Sequence, residues 1–177
     1  MIDSSVIQQC IETLSHHDSE HFAKTRDVFS ARLDSYIAET GKYLEAAAIG
    51  ELGNNAFDHN FNFNRTFERG VYFDTQFLGG YTVIADFGRG LLDSLRRVKP
   101  ELKSDEEAMR TAFLERISGR FPEQRGNGLK FVLETAVAHK WSIFYKSGTA
   151  NVNFSDGTYT FGSCRQPYQG CLVIIHF

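Results

Sequence analysis

Apolar positions recur at helical spacing over several stretches of the chain and alternate at strand spacing over others, so their order predicts an architecture. Between Tyr43 and Asn60, Leu44, Ala48, Leu52 and Ala56 recur every fourth residue in a run rich in good helix formers, which predicts a helix with that stripe on the core. Behind Gly128, Leu129, Val132, Leu133, Ala136 and Val137 follow i, i+3, i+4, i+7, i+8 and predict a second amphipathic helix. Residues from about Ser4 to Leu14 and from about Ser19 to Gly41 read as helices joined by a polar, His-rich turn, with Phe22, Val28, Phe29, Leu33 and Ile37 at rough helical spacing. Ser104-Asp105-Glu106-Glu107 has the spacing of a capping box and starts another.

Elsewhere the period shortens. Val71 to Phe73 and Tyr81 to Ala85 read as a hairpin around Leu78-Gly79-Gly80. After Lys140 four short strands are expected, Trp141 to Tyr145, Val152 to Phe154, Tyr159 to Phe161 and Leu172 to His176, divided by Gly and Pro turns. Helices, hairpin, insertion, helix and meander in that order predict an α+β two-layer sandwich, with helices on one face of a mixed, largely antiparallel sheet. Residues 1–42 read as an N-terminal helical segment ahead of one domain over 43–177. The long polar insertion between Gly90 and Gly126, with Pro100 and Pro122, reads as a flap or lid over about 91–125.

At 177 residues and 42% hydrophobic content the chain is of single-domain size with material for one core. A net charge of -3 argues against a nucleic-acid partner or a polybasic membrane anchor. Cys10, Cys164 and Cys171 form no metal-binding pair and fit reduced thiols; with no run approaching about 20 apolar residues, the expectation is a cytoplasmic protein.

The polar residues that interrupt these patterns carry the candidate chemistry. Glu51, Asn55 and His59 lie at i, i+4 and i+8 and form a polar stripe on the helix. An Asn amide oxygen suits magnesium, which keeps most of its waters and phosphate ligands. A Glu one turn away is placed to act as a base toward a group attacking a terminal phosphate. Asp86 closes a strand ahead of Gly88 and Gly90, so its carboxylate can accept from an exocyclic base amine while the glycines let backbone approach the ligand. Gly126, Asn127, Gly128 and Leu129 open a helix whose free N–H groups suit phosphates. Arg120 and Arg125 precede it, and Arg96, Arg97 and Lys99 in the flap add cations able to neutralise phosphate.

Glu51-x-x-x-Asn55, Asp86-x-Gly88-x-Gly90 and Gly126-x-Gly128-Leu129, in this order, resemble the GHKL ATPase superfamily, which includes gyrase, sensor histidine kinases and anti-sigma-factor serine kinases. The resemblance spans about residues 43 to 177. It implies a Bergerat fold with ATP between helices and sheet under a lid: Asn55 holding magnesium, Asp86 the adenine amine, Gly88 and Gly90 the wall beside the base, Gly126 to Leu129 the phosphates, and Glu51 the general-base position. His59 and Arg125 join the cofactor-binding set. The chain departs from the pattern at Asp58, where histidine kinases often carry Lys, and at Gly170-Cys171, where many members have Gly-Thr. The resemblance further implies a regulatory protein kinase or slow ATPase in bacterial signalling, with a protein partner. A non-catalytic, nucleotide-gated binding module is the alternative, and the oligomeric state stays open, a homodimer included.

Other signals carry less. His17-Asp18-Ser19-Glu20-His21 matches an inverted zinc-protease motif, with both His one turn apart on a helix, but no third ligand is evident. Leu14-Ser15-His16 faintly matches a phosphoacceptor box, yet too few residues separate His16 from Glu51 for a dimerisation hairpin. Asp86-Phe87-Gly88 spells a eukaryotic kinase motif without the catalytic loop that would accompany it. The 16 Phe and 7 Tyr read as core packing rather than base-stacking platforms.

Overall fold

The computed structural model describes residues 1–16, 20–60, 69–115 and 128–177, the side chains of His59 and Asn60 excepted. Among these residues six helices, α1 (Ser4–Ser15), α2 (Arg26–Thr40), α3 (Tyr43–Asn60), α4 (Gly90–Leu95), α5 (Asp105–Leu114) and α6 (Gly128–His139), accompany five strands. These are β1 (Phe22–Ala23), β2 (Val71–Phe77), β3 (Tyr81–Ala85), β4 (Ser142–Ser155) and β5 (Thr158–His176), in the sheet order β1-β2-β3-β5-β4 with every pairing antiparallel.

Strand alternation assigns the two faces of this α+β sheet. Val71, Phe73, Ile84, Val173, Ile175, Ile143 and Tyr145 join the buried positions of α2 to α6 in one core. Tyr72, Val83, Ala85, Leu172, Ile174 and Phe144 point the other way, onto Val6, Cys10 and Leu14 of α1. The expected arrangement of helices on one face holds for α2 to α6, while α1 covers the second face. On α3 the expected stripe buries Ala48, Leu52 and Ala56, but Leu44 is 40% exposed. Ile49 and Gly53 complete the buried side: a Cβ on Gly53 would lie 2.0 Å from Phe29 Cζ of α2, so its absence lets the two helices close up.

The expected helix from Ser19 to Gly41 is two elements. His21 C=O accepts from Phe73 N–H (2.9 Å) and Phe22 pairs with Tyr72, so residues 22–23 are taken by the sheet edge before Thr25 starts α2 by accepting from Val28 N–H. The Ser104 hydroxyl accepts from Glu107 N–H (3.1 Å) and Glu107 Oε2 accepts from Lys103 N–H (2.7 Å), a box displaced by one residue at its second bond. Of the insertion expected as a lid, residues 116–125 lie outside the described residues, and the described part is packed structure. From 91 to 115 it carries α4 and α5, and α5 buries Ala108, Met109 and Phe113, with Phe113 edge-on to Tyr145. Its polar residues, such as the Glu106–Arg110 pair, lie on the outer face.

β4 and β5 each contain two paired segments. Residues 142–147 pair with 171–176 and residues 150–155 with 158–163, with the register broken at Gly148, whose φ is +57°. The Met1 ammonium donates to both Ser142 Oγ (3.4 Å) and Ser155 Oγ (2.8 Å). A straight strand would hold those residues roughly 40 Å apart. β4 therefore doubles back at Gly148-Thr149, which sets Ile143, Tyr145, Val152 and Phe154 on one face of the resulting hairpin. The four paired segments correspond to the four short strands expected. Residues 164–170 then cross the Gly148 turn, tied down by Lys146 Nζ donating to Gln166 C=O (2.9 Å). That crossing brings Tyr168, Gln169 and Gly170 to the end of β3.

Candidate functional site

Asp86 follows β3 and is 1% exposed. Its N–H donates to Cys171 C=O (2.9 Å), which continues the β3–β5 ladder, and its Oδ1 accepts from Gly88 N–H (2.8 Å). Oδ2 is buried and has no hydrogen-bond partner among the described residues. Burial pushes the Asp86 carboxyl up to about 7, although hydrogen bonds from the Gly88 and Cys171 amides act in the opposite sense.

The walls around this carboxylate depend on missing side chains. Gly170 has a φ of +85°, and a Cβ there would sit 2.2 Å from Asp86 C=O and 2.6 Å from Oδ1. Gly90, at φ +73°, would place a Cβ 2.8 Å from Ser147 Oγ. The buried Ser147 hydroxyl accepts from Leu91 N–H (2.9 Å) and donates to Gly170 C=O (2.9 Å), tying the glycine turn to β5. Gln169 Nε2 adds a bond to Phe87 C=O (3.1 Å). Gly88, Arg89, Gly90, Tyr168, Gln169 and Asp105 are among the residues lining an adjoining cavity of about 170 Å³. That is smaller than the roughly 300–1,000 Å³ of small-molecule sites.

Cys171, in the position of the expected Gly-Thr, is buried beside Asp86; burial first and then the Asp86 charge push its thiol well up. Tyr145 faces the same thiol, and burial raises its phenol as well. Ser147, Tyr145 and Tyr168 had no motif to announce them. Tyr145 and Ser147 reach Asp86 because residues 142–147 pair with β5 beside the end of β3, and Tyr168 because residues 164–170 cross there.

A second group assembles where α3 meets α6. A Cβ on Gly128 would lie 2.3 Å from Glu51 Oε2 and 3.5 Å from Asn55 Nδ2, so the polar stripe of α3 lies against the first residue of α6. Glu51 is exposed and Asn55 half-buried. Leu129 is half-buried and packs against the core. The His59 side chain, Arg120, Arg125, Gly126 and Asn127 lie outside the described residues.

Asp58 lies on the same polar side of α3, two turns on from Glu51, but its carboxylate is turned toward α2. Arg26 Nη2 donates to Asp58 Oδ1 (2.6 Å), Arg26 Nη1 donates to Asn54 Oδ1 (2.8 Å), and the guanidinium lies over Phe57. The acid that stands where histidine kinases often carry Lys thus serves α2–α3 packing. Two of the flap cations are also engaged: Arg96 donates from Nε to Leu102 C=O (2.9 Å), and Lys99 is ion-paired with Glu115. The zinc-protease motif loses its helix, since Glu20 and His21 form a turn into β1 and His21 Nδ1 faces Asp74 Oδ2 at 4.0 Å; His17 lies outside the described residues. No group of three or more His, Cys, Asp or Glu suited to a metal occurs among the described residues. All three cysteines are free thiols. Among the described residues no helix is long and apolar enough to cross a membrane.

Compared with known proteins, the chain matches no protein-family model and no curated protein.

Proposed function

We propose that the protein binds ATP with magnesium as a GHKL-type, Bergerat-fold module and acts on a protein partner, as a protein kinase or slow ATPase. The observation that carries this reading is Asp86. A carboxylate removed from water with one oxygen unpartnered needs an explanation, and an exocyclic amine supplies the missing donor. Gly90 and Gly170, where a Cβ would strike Ser147 and Asp86, let the backbone close around the carboxylate. Around Gly128, Asn55 offers an amide oxygen of the kind a hard cation takes, and Glu51 a carboxylate beside it; magnesium held there would neutralise phosphate charge.

Calorimetric titration with ATP and ADP, with and without magnesium, tests the reading. The wild type is expected to bind, and Asp86→Asn to bind about ten- to hundredfold more weakly, the cost of one charged hydrogen bond of roughly 1.5–3 kcal/mol. Absence of adenine-nucleotide binding at millimolar ligand sinks the assignment.

A further inference from the structure

Asp86 is the one carboxylate in the buried set among the described residues, and no cation among those residues lowers its carboxyl. The groups facing it are Tyr145 and Ser147 from β4, Cys171 and Tyr168 from β5, and the amides of Gly88 and Cys171; Cys10 of α1 lies beyond, near Tyr168. Lys146 turns away to Gln166 C=O, and Arg89 lines the adjoining cavity without acting on the carboxylate. The titratable side chains in this cluster are all acids that burial pushes up: Tyr145, Tyr168 and Cys171 stay neutral at neutrality, and Asp86 holds its proton up to about 7. Ionised Asp86 is therefore costly in the empty protein.

The hydrogen bond already made selects where a proton resides. Oδ1 is occupied as an acceptor from Gly88 N–H, so a proton on neutral Asp86 belongs on the unpartnered Oδ2. An acid O–H there meets an exocyclic amine donor to donor. An ionised Oδ2 accepts from it. Resting on the nucleotide reading above, we infer that adenine binding is coupled to the loss of one proton from Asp86, so the site fills as the medium becomes more alkaline through neutrality. In balance, neutral Asp86 and free adenine base give Asp86 carboxylate hydrogen-bonded to the adenine amine, plus one proton passed to solvent buffer. No covalent bond other than Asp86 O–H breaks. Burial sets the free carboxyl near 7 and the amine bond lowers it on binding, which places the coupling in the cellular range.

Adenosine is a suitable probe because it carries no phosphate to titrate in this range. Its dissociation constant is measured by ligand-observed NMR from about pH 5.5 to about pH 8.5, where affinity should rise about tenfold per pH unit at the acid end and level off above neutrality. Calorimetry in two buffers of different ionisation enthalpy should show close to one proton released per adenosine bound at the acid end and none at the alkaline end. Asp86→Asn should bind weakly and with no pH dependence. Should the variant bind too weakly to measure, the carbon-13 carboxyl resonance of Asp86 gives the answer directly: a midpoint near neutrality in the free protein, displaced downward by saturating adenosine. An affinity independent of pH, with heats independent of buffer, overturns the coupling and leaves the nucleotide reading intact. Failure of both adenosine and ADP to bind at any pH overturns that reading and the coupling with it.

Discussion

Individual residues divide into those that make contacts and those that permit them by being small. Gly128 is of the second kind. The atom nearest its missing Cβ is the free end of the exposed Glu51 side chain, at 2.3 Å, so Gly128→Ala displaces that carboxylate without disturbing the core. Thermal stability should hold to within about 0.5 kcal/mol, as for other surface changes. Magnesium-ATP affinity should fall roughly tenfold, or about 1.4 kcal/mol. Thermal melts beside calorimetry separate the two effects, and unchanged affinity would remove the Gly128–Glu51 approach from the site. Glu51, Asn55, Asp86, Gly88 and Gly90 were singled out by spacing in the chain, because local turns and helix periodicity leave a linear trace. Ser147, Tyr168 and Gly170 leave none of that kind, since their bearing on Asp86 is a matter of strand pairing over long separations.

Among the elements, α3 is the one whose two sides do different things. Its apolar side locks onto α2, and its polar side carries both Asn54 and Asp58, held by Arg26, and Glu51 and Asn55, which face α6. Two glycines on this helix should respond oppositely to the same substitution. Gly53→Ala drives a methyl into the ring of Phe29, which is 1% exposed and cannot yield, and overpacking of this kind costs roughly 1–3 kcal/mol. Gly50→Ala meets only Leu33 Cδ2 at 3.4 Å, an ordinary contact, and should gain about 0.5–1 kcal/mol from reduced backbone entropy in the unfolded chain. Denaturant unfolding of both variants checks the pair; equal signs would mean α2 and α3 are not in van der Waals contact at Phe29. The element pattern was legible for α1, α3, α5, α6 and the β2–β3 hairpin, where amphipathic period, capping residues and turn glycines agree. It failed at β1, because Phe22 and Ala23 have no strand signal of their own and are extended only by pairing with β2.

At the scale of the whole molecule, the buried acid that supports the proposed function should also weaken the fold at neutral pH. Asp86 stands at 3.8 in the unfolded chain and about 7 in the folded one, so between those values the folded state holds a proton that the unfolded state has lost. The sign follows: this contribution is fully present below the unfolded value and is lost as pH rises toward the folded value, by roughly 1.4 kcal/mol per pH unit. Asp86→Asn, which cannot ionise, should therefore melt higher than wild type at about pH 8 and approach it at about pH 4, while binding nucleotide less well. Melting curves across pH decide it, and a variant less stable than wild type at every pH would show that Asp86 serves structure alone. The chain by itself determined the α+β class, the run of helices and short antiparallel strands, and the candidate acids, amide and glycines. Those depend on periodicity and local backbone geometry, which neighbours in sequence dictate. Only the tertiary structure decided that α1 covers the sheet's second face, that the insertion packs α5 into the core, and that Arg26 claims Asp58. It alone brought the β5 crossing against Asp86 and left a buried carboxylate oxygen there with no partner among the described residues, because burial and desolvation arise from surfaces that meet across long stretches of chain.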